Sequence, residues 1–325
     1  ALEYKQPTIR ERHIIMIRIQ DGSSTAAIAL ELSRPQSCVW RELARNESPY
    51  EAQAAQERAD KLKRAGRSRK LDPGPLREEV DQRLRRYDSP EQIAGRLKVD
   101  FSNSGFQVSH ETIYQYIEQA AAEGVDYAPF LRFGTRQRRY GYRGKGRYKR
   151  IRGGRPIEDR PPAAGARQEF GHFESDTVKG KQSSPMGIAT HLEVKTRFLV
   201  AALLPDRSAD TYNRNTCRAL ARHPRMKVKT LTVDNGMEFS QHRQMEKSLG
   251  AKVYFAHPYC AWVRGANENV NGLLRQFFPK RTDLSNTTSG QLQRAVDILN
   301  NRPRKCLGYR TPAEALQAEL NALSS

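Results

Sequence analysis

Phe170-Gly171-His172-Phe173-Glu174-Ser175-Asp176-Thr177-Val178 is the stretch on which the reading of this chain turns. It follows the break at Pro161-Pro162 and reads as a strand, and period-two alternation then places Glu174 and Asp176 on one face. Further strands are expected at 187–194 and 198–204, a helix at 208–222, a fourth strand at 228–233, a helix through Met245 and a fifth strand at 253–255. Strands with short connections followed by alternating helices and strands begin an α/β layer. Asp234 leaves the fourth strand in an Asp234-Asn235-Gly236 turn, and Glu268 opens a helix running through Leu273, Leu274 and Phe277. Neighbouring central strands would bring Asp176, Asp234 and Glu268 together.

Three acids remote in sequence suit one kind of chemistry. A phosphodiester repels nucleophiles, and its charge grows at an in-line transition state, which two divalent cations about 4 Å apart would offset. Hard oxygen donors hold Mg²⁺ or Mn²⁺ best, so two such ions per site are the expected cofactor. A single acid more often caps a helix or decorates a surface; three at these stations favour a shared cation pocket. Glu174 and Glu238 compete with them and are ranked as supporting or structural acids. Asn267, Asn269 and Asn271 surround Glu268 and are placed to bond ligands or to contact DNA.

The chain has 325 residues, a length that suggests about two domains, and 37% hydrophobic content is enough for real cores. Fifty-six Lys and Arg against 36 Asp and Glu give a net charge of +20, which favours a polyanionic partner over a membrane or a neutral metabolite. Cys38, Cys217, Cys260 and Cys306 are scattered without CxxC pairing, so neither zinc nor disulfides are expected. No run approaches 18 apolar residues and no charged-then-apolar leader opens the chain, so a cytoplasmic, reducing location is expected.

Thr8 and Glu11 form a capping box before Ile14, Ile15, Ile17 and Ile19; Asp21-Gly22 breaks that helix, a second spans 26–32, and Ser33-Arg34-Pro35 starts a third to about Asn46. Three short helices with tight turns suggest a helix-turn-helix domain over 1–50. Its third helix presents Gln36, Ser37, Trp40, Arg41 and Arg45 to DNA, with Trp40 half packed; a small helical bundle without a DNA role has the same signature. Residues 51–86 read as a helical connector. A second helix-turn-helix, 87–125, is capped by Ser89, Pro90 and Gln92, takes its core from Ile93, Leu97, Val108, Ile113, Tyr114 and Ile117, and presents His110 and Gln115.

Residues 126–162 form a basic linker, and 132–155 hold 11 Lys or Arg among 24 positions with no acid and six glycines. Arg138, Arg139, Arg143, Lys145, Arg147, Lys149 and Arg150, interleaved with Tyr140, Tyr142 and Tyr148, either track a DNA backbone or serve as a charged linker. The tail carries helices at 291–300 and from Thr311-Pro312-Ala313-Glu314, which pack on the core or pair subunits. The expected layout is completed by a catalytic domain at 163–304 and a C-terminal helix at 305–325.

Three segments together resemble a known family. They are Gly171-His172-Phe173-Glu174-Ser175-Asp176-Thr177, Thr232-Val233-Asp234-Asn235-Gly236-Met237-Glu238-Phe239, and Arg264-Gly265-Ala266-Asn267-Glu268-Asn269-Val270-Asn271-Gly272-Leu273-Leu274-Arg275-Gln276. They are similar to the DDE transposases of the bacterial insertion-sequence-thirty family, as is the spacing of 33 residues between Asp234 and Glu268. Pro258-Tyr259, Phe278-Pro279-Lys280, Asn301-Arg302-Pro303 and Arg41-Glu42-Leu43-Ala44-Arg45-Asn46 extend the likeness over nearly the whole chain. Phe173 and Ser175 depart from a frequent Trp and Gly without touching a proposed ligand.

The resemblance implies an RNase H-like catalytic domain, a mixed five-stranded sheet with helices, preceded by all-α helix-turn-helix domains. It also implies binding to terminal inverted repeats, metal-dependent nicking and joining of a 3′-hydroxyl to double-stranded target DNA. Asp176 would bridge both metals, with Asp234 and Glu268 holding one each. Arg264, Arg275 and Lys280 are candidate phosphate clamps, with plain surface charge as the alternative. Handling two ends together implies a homodimer or larger assembly, in the cytoplasm and on the nucleoid. Two other readings share part of the pattern. A retroviral-type integrase would bring an N-terminal His/Cys zinc module, which is not found here, and a DNA-binding regulator derived from a transposase would not need all three acids.

Overall fold

The computed structural model describes residues 6–65, 71–102, 105–132, 153–257 and 265–324, which fall into two compact units, Ala1–Asp72 and Pro73–Ser325. The first unit holds α1 (Ile9–Gln20), α2 (Thr25–Glu31), α3 (Gln36–Ala44) and α4 (Ala52–Ala65). The Thr8–Glu11 capping box starts α1, and the Ser24 side chain caps α2. Ile15, Ile28, Val39, Tyr50 and Ala55 pack into one core. Arg12 and Glu42, both buried, pair at 2.6 Å, and the Tyr50 hydroxyl donates to the same carboxylate at 3.3 Å. A charge removed from water needs such partners.

The stretch expected to connect the domains, 51–86, is divided between the two units. Helix α4 packs on α1 through Ala52 and Ala55, small residues that permit close approach but give little hydropathy signal. Helix α5 (Pro75–Arg85) opens the second unit and packs on α6 (Pro90–Asp100), which is followed by α7 (His110–Ala122). Val80, Leu84, Ile93, Leu97, Val108 and Ile113 are buried there. Tyr114, expected in the core, is 44% exposed, and Tyr116 is buried instead. Its hydroxyl and that of Tyr127 both donate to Asp81 Oδ1 at 2.7 Å, which satisfies two phenols with one carboxylate.

The rest of the second unit comprises β1 (Arg155–Pro156), α8 (Pro162–Ala166), β2 (His172–Lys179), β3 (Gly187–Glu193), β4 (Leu199–Leu204), α9 (Ala209–Ala221), β5 (Thr230–Val233), α10 (His242–Leu249), β6 (Lys252–Phe255), α11 (Gly265–Leu274), α12 (Ser289–Asn300) and α13 (Pro312–Ala322). The sheet order is β1-β6-β5-β2-β3-β4; β2, β3 and β4 form an antiparallel meander, while β5, β6 and β1 join parallel. The sheet is mixed as expected but has six strands instead of five. The extra strand is a two-residue edge inside the basic run, too short to carry any periodicity. It seats where Gly154 meets the Phe255 ring, since a Cβ there would come within 2.5 Å of that ring.

One face of the sheet buries Phe173, Leu231, Val233 and Val253 against Tyr212, Leu220 and Phe239, and Leu316 of α13 joins them. The other buries Val178, Ile188, Leu192 and Leu199 against Val270, Leu274, Leu292 and Leu299 of α11 and α12. Asn300 closes the exposed edge of β4 by accepting from Leu199 N at 2.8 Å and donating to Leu199 O at 2.9 Å. The tail helices therefore complete the core, the first of the two roles open from sequence. Among the described residues no helix is long and apolar enough to cross a membrane.

Candidate active site

Strands β2 and β5 run parallel with His172 opposite Thr230, Phe173 opposite Leu231 and Glu174 opposite Thr232. Continued by two residues, the same register sets Asp176 beside Asp234, and in-register neighbours on parallel strands share a face. That face looks toward α11. Asp176 Oδ2 accepts from Asn271 Nδ2 at 3.0 Å, and Thr190 Oγ1 donates to the Asn271 side-chain oxygen at 3.0 Å. Asp176 Oδ1 accepts from Thr177 N at 2.8 Å, so both oxygens of this carboxylate are oriented.

Asp234 leaves β5 into a turn closed by its own side chain, with Gly236 N donating to Oδ1 at 2.8 Å. Gly236 leaves room there for both acids, since a Cβ would lie 2.5 Å from Glu238 Oε2 and 2.9 Å from Asp234 Oδ1. The two carboxylate oxygens flank that one point and are therefore within about 5.4 Å of each other. Tyr212 of α9 is fully buried beneath the site, edge-on to Phe239 at 4.9 Å. Burial raises its hydroxyl pKa, and the charges of Asp176, Glu238 and Asp234 add to the shift. Nothing in the sequence marks Tyr212, an aromatic on an ordinary amphipathic helix.

Glu268 is exposed on α11, one turn before Asn271. Among the described residues no three His, Cys, Asp or Glu side chains form a group that could hold a metal ion. Glu238 lies beside Asp234, the β2–β5 register carried on by two residues brings Asp176 level with Asp234, and Glu268 is on the helix whose Asn271 touches Asp176. The donors are all carboxylate and amide oxygens, a set that fits a hard divalent cation.

Two other acids are buried nearby. Glu174 is 3% exposed and its Oε2 accepts from Asn267 N, in the first turn of α11, at 3.0 Å. Burial pushes its pKa up, against that hydrogen bond and the charges of Arg167, Arg197 and Arg160. Glu193 is fully buried but accepts from Gly171 N, Lys195 N, Thr196 N and Thr196 Oγ1 at 2.6–3.1 Å, which closes the turn between β3 and β4. Its work is structural. His191 is also fully buried, and burial lowers its pKa to about 3, so it is neutral where it meets Ser175 Oγ at 2.9 Å.

Gln36, Ser37, Trp40 and Arg41 on α3 and Arg45 at its C-cap are all exposed. Trp40 is 63% exposed and not half packed as expected, because Cys38, Val39 and Glu42 take the inward positions. Gln36 Nε2 donates to Thr25 Oγ1 at 3.1 Å and Arg41 Nε to Ser37 O at 2.9 Å. His110 and Gln115 are exposed on α7, and Lys280 is exposed beyond α11. Arg275 is half-buried and its Nη2 donates to Lys179 O at 2.7 Å, tying the end of β2 to the end of α11. Arg138, Arg139, Arg143, Lys145, Arg147, Lys149, Arg150 and Arg264 lie outside the described residues.

Residues 166–261 match the integrase core domain family, a span that runs from β2 past β6 and includes both aspartates. The chain is 34% identical to the transposase for insertion sequence element IS4351 of Bacteroides fragilis over 98% of its own length and 97% of that protein. It is 35% identical to transposase InsI for insertion sequence element IS30A of Escherichia coli (strain K12), over 95% of this chain and 83% of that one. The catalytic core domain of BIV integrase superposes on 48% of the chain with a TM-score of 0.37 and 21% identity, covering 99% of that domain. The sheet, an antiparallel meander joined in parallel by further strands, is RNase H-like, and at 34–35% identity to these relatives over nearly its whole length the chain belongs to the insertion-sequence-thirty family of transposases.

Proposed function

We propose that the chain binds the terminal inverted repeats of an insertion sequence, nicks the DNA at each end and joins the exposed 3′-hydroxyl to a new strand, with Asp176, Asp234 and Glu268 as catalytic metal ligands for two Mg²⁺ or Mn²⁺ ions. The observation that carries this reading is the register between β2 and β5, which sets Asp176 beside Asp234 on the face covered by α11. Both relatives above are named transposases for insertion sequences.

When bound, the cations would neutralise the phosphate and acidify an attacking water. The chain's own groups prepare the site for them. Asn271 and Thr177 fix the two oxygens of Asp176, and Gly236 N fixes one oxygen of Asp234. Glu268 shares a helix face with Asn271, so rotation of its exposed side chain brings a third carboxylate toward Asp176. No covalent enzyme intermediate is required.

Recognition of the ends falls to the exposed faces of α3 and α7, two modules that together read a longer site than either alone. Double-stranded DNA, as transposon end and as target, is the partner, and joint handling of two ends calls for a homodimer or larger assembly acting in the cytoplasm on the nucleoid. The test is nicking of a supercoiled plasmid that carries the element's ends, with and without Mg²⁺. Asp234→Asn is expected to bind the ends and leave the plasmid intact, and equal nicking by this variant would overturn the assignment.

A further inference from the structure

Two adjoining cavities, of about 260 and 370 Å³, lie along the outer side of α11 and share Asn269, Arg304 and Cys306 as lining residues. Arg167 and Arg197 line the first, together with the opening turn of α11, and no acid does. The second adds Tyr87, Tyr309 and Arg302, and its one carboxylate, Glu91, is taken by Lys305 at 2.7 Å. Arg302 is 3% exposed, and the Nε atoms of Arg302 and Arg304 are buried without a hydrogen-bond partner among the described residues.

Buried guanidiniums with open donors destabilise a fold unless an anion meets them. Burial lowers the pKa of both arginines to about 10; the charge of Arg302 lowers that of Arg304 further, and the buried Asp88 carboxylate opposes the shift in both without bonding either Nε. Six non-glycine residues have positive φ among the described residues, and four of them line these cavities: Tyr87 at 69°, Arg167 at 59°, Arg197 at 62° and Tyr309 at 63°. Each such conformation costs on the order of 1–3 kcal/mol and is held by the structure around it, at Arg167 as the cap of α8 and at Arg197 in the β3–β4 turn.

The location connects this cleft to the site. Asn269, on the wall common to both cavities, is the residue next to Glu268. A cavity of a few hundred Å³ admits nucleotide-sized groups and excludes a duplex. Arginines beside tyrosine rings are the chemistry of single-strand binding, phosphates on one and sugars or bases on the other. We propose that this cleft holds a single DNA strand next to the carboxylates, with its phosphates on Arg167, Arg197 and Arg304 and its bases toward Tyr87 and Tyr309. The assignment rests on the DNA-cutting function above and adds the path of the strand.

The test uses the full chain and two fluorescein-labelled duplexes of the terminal repeat, one blunt and one with a single-stranded 3′ extension. The extended duplex is expected to bind about tenfold more tightly. In Arg197→Gln/Arg304→Gln, shown to be folded by circular dichroism, the ratio of the two affinities should fall toward one. The log–log salt dependence of extended-duplex binding should become shallower by about 1.4, from about 0.7 per lost contact on a single strand. A ratio and slope equal to those of the unaltered protein would overturn the proposal.

A second measurement leaves every arginine in place. An extension carrying a disulfide-activated tether on a backbone phosphate should crosslink to Cys306, and the product should vanish in Cys306→Ser. Absence of the crosslink in protein that nicks the plasmid refutes the cleft alone. A chain that neither binds the repeat nor nicks with Mg²⁺ refutes the function beneath it.

Discussion

Replacing Glu174 separates the placement of α11 from the chemistry it serves. Its carboxylate is buried, and at 3.0 Å it is the acceptor for Asn267 N in the helix turn that carries Glu268. Glu174→Ala strands that amide and removes a negative charge from a helix N-terminus, a loss of about 1–3 kcal/mol for the hydrogen bond. Glu174→Gln keeps an acceptor oxygen and sheds the buried charge, so its stability should equal or exceed that of the unaltered chain. The sign with pH follows from the upward shift of Glu174 caused by burial. A raised carboxyl favours folding fully below its unfolded value of 4.5 and loses that contribution as pH rises through the folded value.

Urea unfolding across pH 4–8 would therefore show a decline for the native chain that Glu174→Gln lacks, other groups being common to both. Function should divide the same two variants. If Glu174 positions the helix of a metal ligand, Glu174→Ala should need more Mg²⁺ for half-maximal nicking, by about 10–100-fold, the usual cost of losing a residue that orients a ligand. Glu174→Gln should rescue it. An alanine variant with native stability and native Mg²⁺ dependence would refute the reasoning, and one that is destabilised yet keeps native Mg²⁺ dependence would reduce Glu174 to a packing role.

Other expectations are more local. Arg41→Ala should weaken binding to the terminal repeat by about 1–3 kcal/mol if this side chain reads a base, measured by gel shift at fixed salt, with no loss on nonspecific DNA beyond one phosphate contact. Asn300→Ala should destabilise the second unit by about 1–3 kcal/mol for each Leu199 backbone group left unsatisfied, read from the urea midpoint. Arg96 bonds Glu314 at 2.6 Å and Asp100 at 2.9 Å, and these bonds hold both acids below their ordinary values of 4.5 and 3.8. That stabilisation is present above those values and is lost as pH falls through the lowered ones, so Arg96→Ala should differ from the native chain at pH 7 and converge with it in acid.

Residues whose roles follow from local chemistry were legible from sequence, and those whose roles follow from tertiary register were not. Thr8, Ser89 and Thr311 could be read as caps because a cap is decided within four residues. The core strands were legible because each holds a continuous apolar or alternating run, whereas Arg155-Pro156 becomes a strand only when β6 offers its edge and Gly154 clears the Phe255 ring. Trp40 misled because indole size argues for burial, yet α3 fills its inward positions with Cys38, Val39 and Glu42.

In the site the same division holds at finer grain. One acid within β2 and another just after β5 could be read from the sequence as candidates for one site, but the use of Glu174 depends on where the first turn of α11 lands, which no spacing along the chain encodes. The arginine cleft lies furthest from reach. Arg167, Arg197 and the Arg302–Arg304 pair belong to three separate connections, and in a chain with 56 basic residues none is distinctive until the fold buries the Nε atoms of Arg302 and Arg304 without a hydrogen-bond partner among the described residues. An excess of positive charge announces a nucleic-acid partner, but only the positions where that charge is desolvated can tell which arginines meet the strand.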